Sequence, residues 1–162
     1  VAVCEIRLLD ADDWALWRDV RLRSLADAPD AFGSKLAEWQ GDGDREDRWR
    51  SRFDNVAFNA VAVSDNGVVG TLGAMAHSPG TVELISMWVA PEVRGTGVGE
   101  ALIDAVLVWA AAESVERVVL AVRRGNDPAL ALYTRCGFVL VGPNPNDDTE
   151  DLMAWRGVVS RS

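Results

Sequence analysis

The chain has 162 residues, 49% hydrophobic and 25% charged, the composition of one ordinary globular domain large enough to bury a core. A net charge of −9 repels nucleic acid and steers cationic partners toward the surface. No apolar run approaches the ~20 residues of a membrane span. Val1 to Arg7 contains Glu5 and lacks a basic-then-apolar signal pattern. The lone His77 and the widely separated Cys4 and Cys136 point to neither a metal site nor a disulfide framework. The expectation is a single domain over 1–162, cytoplasmic, with no metal, no nucleic acid and no membrane partner.

Cys4 to Leu9 alternates apolar and charged residues as a strand does. Asp10 or Asp12 can cap the helix that follows, where Trp14, Trp17, Val20, Arg21, Leu22 and Leu25 recur at helical spacing. Ala28-Pro29 stops it. Phe32 to Trp39 suits a short second helix, and Gln40 to Asp44 a charged turn. Arg45 to Phe53 suits one or two helical turns with Trp49 and Phe53 inward. Val56 to Ser64 reads as a buried strand. Asp65-Asn66-Gly67 predicts a type I′ hairpin turn, and Val68 to Ala76 the returning strand. After the turn at Ser78-Pro79-Gly80 comes another strand, Thr81 to Val89, which completes an antiparallel meander.

Gly97 to Glu113 is the clearest helix, with Leu102, Ile103, Val106, Leu107 and Ala110 on one stripe. Arg117 to Val122 follows as a strand, parallel to the one before the helix by the usual strand–helix–strand rule. Asp127 to Cys136 is a helix with Pro128 in its first turn and Gly137 closing it. Phe138 to Val141 and Leu152 to Val158 are the last two strands, joined by a polar loop over Gly142 to Asp148. The whole reads as α/β with a mixed sheet.

Two stretches carry chemistry. The first is Val89-x-Pro91-x-x-Arg94-Gly95-x-Gly97-Val98-Gly99, a strand running into a glycine-rich loop and then a helix. Unpaired N–H groups at a helix start bind anions, and glycines let a phosphate approach the backbone. Glu100 stands where a dinucleotide fingerprint needs its last glycine, and the chain has no Gly-Lys-Ser/Thr triplet. The second is Asn126-x-x-Ala129-x-x-Leu132-Tyr133-x-x-x-Gly137-Phe138. Ala129, Leu132 and Tyr133 share a helix face, and Asn126 sits at the N-cap.

In this order the two stretches resemble the signatures of the GNAT superfamily of N-acetyltransferases, and with the elements between them cover about Thr81 to Phe138. The resemblance implies the acyl-CoA acyltransferase fold. That is a central, mostly antiparallel sheet of about seven strands with one parallel splayed pair, flanked by about four helices. It implies acetyl-CoA as cosubstrate, with the N–H groups of Gly95, Gly97, Val98 and Gly99 cradling its pyrophosphate. Arg94 either orders that loop or pairs with a phosphate. Backbone groups near Met87 and Val89 face the pantetheine and the acetyl carbonyl, and Asn126 contacts the pantetheine or holds the splayed strand. Tyr133 protonates the leaving thiolate, or is a half-buried aromatic.

An amine must lose a proton to attack the thioester. The resemblance offers Glu83 as the base. It lies four residues before Met87 and, by strand period, on the same face, about 13 Å away, so a bridging water is needed. Glu83 also reads as a plain surface charge, and His77 is the alternative base. Acetylation of a primary amine on a small molecule or peptide is the activity implied. A non-catalytic acyl-CoA-binding module is the alternative, and a longer acyl donor stays open. For the acceptor pocket, Phe32, Trp39, Trp49 and Trp155 with Asp30, Asp147, Asp148, Glu150 and Asp151 suit a cation; the same tryptophans also read as core. The pattern is silent between monomer and homodimer.

Overall fold

A computed structural model describes residues 4–28 and 35–156. Asp30, Phe32 and the expected end of the last strand at Val158 lie outside the described residues. The strands are β1 (Glu5–Leu8), β2 (Phe58–Ser64), β3 (Gly67–Ser78), β4 (Thr81–Val89), β5 (Arg117–Arg123), β6 (Val139–Asn144) and β7 (Asp147–Arg156). They form one sheet in the order β1-β2-β3-β4-β5-β7-β6. Only β4 and β5 run parallel; every other neighbouring pair is antiparallel. The helices are α1 (Trp14–Asp27), α2 (Glu46–Asn55), α3 (Val98–Ala112) and α4 (Asp127–Arg135).

The two faces of the sheet are separated by the period-two rule. A Cβ on Gly70 would meet Val98 and Leu102 of α3, whereas one on Gly73 would meet Arg52 of α2. Gly70 and Gly73 are three residues apart on β3, so α3 and α2 cover opposite faces. α1 joins α2, because Asp27 at its end accepts a hydrogen bond from the indole of Trp88 on β4 at 2.9 Å, and Trp88 shares Gly73's face through its partner Thr71. On the other face Leu102, Ile103, Val106 and Ala110 of α3 are buried, as their stripe required.

Three local expectations change. Asp65 and Asn66 do not take positive φ; only Gly67 does, at 96°. With Ser64 paired to Gly67 and a register shift after Ala62, this is the ordinary turn closed by a bulged left-handed glycine, not type I′. The loop expected over Gly142 to Asp148 is mostly strand: β6 reaches Asn144 and β7 starts at Asp147, leaving Pro145 and Asn146 as the turn. Of the second helix, the described part is a single 3-10 turn, Leu36–Trp39.

Of the tryptophans expected around the acceptor, Trp49 is core, and Trp39 and Trp155 pack half-buried against the core. Trp49 is buried, its ring lies 4.6 Å from that of Trp39, and its indole donates to Asp44 at 2.8 Å. Arg48 already covers the Trp39 ring, 3.7 Å from its centre.

Candidate functional site

β4 pairs with β5 over only three rungs, Thr81 with Arg117, Val82 with Val118 and Glu83 with Val119. Beyond Glu83 the two strands part, and the backbone groups of β4 that would meet β5 have no strand partner. On its other side β4 bulges. Thr71 pairs with Trp88 and Gly73 with Ile85, so Ser86 and Met87 together oppose Leu72. Ser86 takes φ 57°, rare for a residue with a side chain. The Thr71 hydroxyl donates to the Ser86 carbonyl at 2.6 Å and pins the kink.

The bulge changes which side chains share a face. Ile85 and Trp88 lie together although three residues apart, and Glu83 lies with them. Met87 and Val89 lie on the α3 face. The expectation that Glu83 and Met87 face the same side therefore fails, because one extra residue inverts the alternation. Glu83 stands on the α1–α2 face at the last rung before the strands part. His77 is exposed and sits between the rungs Ala76–Val82 and Ser78–Thr81. That is at least five β4 residues before Met87, about 17 Å of strand.

The glycine loop follows β4 through a 3-10 turn, Pro91–Val93. Gly95 and Gly97 take φ 77° and 98°, and Gly97 caps α3 from the left-handed region with no side-chain cap. The first N–H groups of α3, from Val98 and Gly99 onward, therefore have neither an intrahelical partner nor a side-chain cap, and Val98 and Gly99 themselves are buried. Arg94 stays exposed but folds back over the loop. Its Nε donates to the Val89 carbonyl at 2.9 Å and its Nη2 to Asp27 at 2.8 Å. Of its two expected roles, the geometry is that of ordering the loop.

Gly99 has a different reason to be glycine than phosphate approach. A Cβ there would lie 2.9 Å from Leu132 Cδ2 and 3.4 Å from Met87 Cε, so this residue sets the contact of α3 with α4 and β4. Gly99→Val is expected to cost about 1–3 kcal/mol of stability by overpacking, read by urea titration. An unchanged midpoint would mean that Leu132 swings aside freely.

On α4, the Asn126 side chain accepts from the Ala129 N–H at 3.3 Å as an N-cap. Tyr133 is buried, edge-on to Phe138 with ring centres 6.0 Å apart. Burial, aided by nearby Cys136, pushes its phenol up to about 12, so it is protonated at neutral pH. Burial likewise pushes the Cys136 thiol up to about 11, as suits a packing group. Local patterning offered no sign of Thr71 or Asp27. Their partners lie 15 and more than 60 residues away, so only the folded register exposes them.

Among the described residues, no cluster of His, Cys, Asp and Glu could hold a metal ion, and no helix is long and apolar enough to cross a membrane.

A family model described as "Acetyltransferase (GNAT) family" matches residues 19–138. A mycothiol acetyltransferase of Clavibacter michiganensis is 30% identical over 129 residues, which is 80% of this chain and 39% of that protein. The human N-acetylaspartate synthetase is 40% identical over 83 residues, which is 51% of this chain and 28% of that protein. The chain thus spans well under half the length of these two relatives. Among solved structures, the PaiA N-acetyltransferase of Thermoplasma acidophilum, in complex with coenzyme A, superposes with a TM-score of 0.75. It is 16% identical, over 96% of this chain and 99% of that one.

Proposed function

The chain belongs to the GNAT family of acetyltransferases, and from that premise we propose that it transfers the acetyl group of acetyl-CoA to a primary amine. The observation that carries this reading is the parting of β4 from β5 beside a bulge at Ser86, with the uncapped start of α3 next to it. The residues present fit acetyl-CoA: uncapped N–H groups at the start of α3 for a pyrophosphate, β4 backbone without a strand partner for an amide-bearing arm, and a protonated phenol. Bound acetyl-CoA supplies an acetyl group activated as a thioester.

The N–H groups of Gly95, Gly97, Val98 and Gly99 hold phosphate oxygens, and Arg94 keeps the loop in shape through Asp27. The β4 backbone at Met87 and Val89 orients the acyl arm, and an N–H there stabilises charge growing on the carbonyl oxygen. Asn126 fixes the start of α4 and faces the arm. Glu83 takes the amine's proton through a water as the C–N bond forms. Tyr133 gives its proton to the sulfur as the C–S bond breaks. His77 is left out because of its distance along the strand.

Calorimetric titration with CoA, followed by a thiol-release assay across amines and peptides with mass detection, tests the proposal. CoA binding with an acetylated product is expected. CoA binding without transfer to any amine would favour a non-catalytic acyl-CoA-binding module. Absence of CoA binding would sink both.

A further inference from the structure

The α1–α2 face holds a cationic group that the reaction above does not use. Arg52 on α2 stacks on the Trp17 ring, its guanidinium carbon 4.0 Å from the ring centre, and Arg21 approaches the same ring at 5.9 Å. Nε of Arg52 donates to Asn59 Oδ1 at 2.7 Å, and Asn59 is held in turn by the Val56 carbonyl. Nη2 of Arg52 is buried and meets no acceptor among the described residues. It lies over Gly73, only 2.5 Å from where a Cβ would be. A side chain at position 73 would have to displace this guanidinium.

A guanidinium nitrogen closed off from water without a partner is costly. Burial, with Arg21 close by, pulls Arg52 down to about 9. Both facts describe a cation with no acceptor on Nη2 among the described residues. Arg52 as a residue retains partial exposure. With Nε engaged and Nη2 closed off, the Nη1–Nη2 edge, a planar fork that takes a carboxylate bidentately, receives a ligand only as the packing over Nη2 opens.

Its place in the sheet gives the cation a use. Asn59 pairs with Gly73 and Gly73 with Ile85, the residue just before the Ser86 bulge. Neighbouring strands are ~4.8 Å apart, so the guanidinium lies about one strand from the proposed site of acetyl transfer. Glu83 is on the same face, two residues along β4. Of the aromatic faces expected to attract a cationic acceptor, Trp39 already carries Arg48, and two further indoles, Trp88 and Trp17, carry Arg23 and Arg52. We propose that Arg52 anchors the carboxylate of the acceptor, which is a free amino acid whose amine lies a few bonds from that carboxylate. This rests on the transferase reading and names its acceptor class.

The test has a binding arm and a turnover arm. Calorimetry on the CoA-saturated protein screens the twenty L-amino acids, then compares the tightest binder with its own carboxamide. The wild type is expected to prefer the acid about 10- to 100-fold, as charge-assisted hydrogen bonds supply. Arg52→Gln should bring the acid down to the level of the carboxamide. Arg52→Lys, which keeps the charge without the fork, should retain part of the preference and serves where the glutamine variant does not fold. Equal affinities in the wild type, a preference that survives in Arg52→Gln, or no binding by any of the twenty would each overturn the proposal. The turnover arm, thiol release with acetyl-CoA and the preferred acid, separates the two readings. Binding with the expected preference but no acetylation would fail the transferase reading while leaving the carboxylate anchor intact.

Discussion

Tyr133→Phe is expected to lower kcat by about ten- to a thousandfold, the range of general acid–base contributions and somewhat below it, with little change in CoA affinity. The ring stays edge-on to Phe138, so packing persists and only the O–H is lost. That hydroxyl is held protonated by burial, at about 12 against an ordinary 10. The sign follows. The folded state favours the neutral phenol, so this contribution to stability is fully present below about pH 10 and is lost as pH rises toward about 12. Ionisation of Tyr133 should therefore not limit kcat anywhere between pH 7 and 10. An interaction made only in the transition state lowers kcat and kcat/KM together. The deficit should shrink with a CoA analogue whose thiol leaves readily without a proton. Kinetics at saturating acetyl-CoA with a competent amine supply the check. Equal kcat values would leave Tyr133 as packing beside the cofactor, and a lower melting temperature with intact turnover would say the same.

The parts legible in the sequence are those written in neighbouring residues. The α3 stripe, the cap at Asn126 and the terminal Gly137 are all local statements, and the structure bears them out. The parallel β4–β5 pair follows from a chain-handedness rule and is also present. Two other features are set by partners distant in the chain. The inversion at Ser86 depends on Thr71 across the sheet, so strand period alone put Glu83 on the wrong face relative to Met87. Gly99 follows Gly97 in the glycine loop, but the tight contact of its Cα side with Leu132, 33 positions further on, is not written locally. The Arg52 cluster was invisible for the same reason: α2 reads as a plain amphipathic helix until Asn59 and Gly73 are brought beneath it.

Asp27→Ala is expected to destabilise the protein by about 2–3 kcal/mol and to weaken CoA binding as well. The carboxylate of Asp27 is a junction. One oxygen accepts from the buried Trp88 indole at 2.9 Å and from Arg94 Nη2 at 2.8 Å, tying the end of α1 to β4 and to the glycine loop. Trp88 is 3% exposed, so removing the acceptor strands a donor away from water, and that penalty dominates. The ion pair adds less, since the Arg94 side chain is 54% exposed and exposed pairs contribute little. Its loss shows instead in the loop, which Arg94 then holds only through the Val89 carbonyl. Asp27→Asn separates the two effects. It keeps an oxygen for the indole and removes the charge, so most of the stability should return while the loop stays loosened. Urea titration of both variants and calorimetry with CoA make the comparison. Stability of Asp27→Ala within about 0.5 kcal/mol of wild type, the range of ordinary surface changes, would show that Trp88 finds another acceptor. Wild-type CoA affinity in both variants would show that the loop keeps its shape without Arg94 fixed to α1.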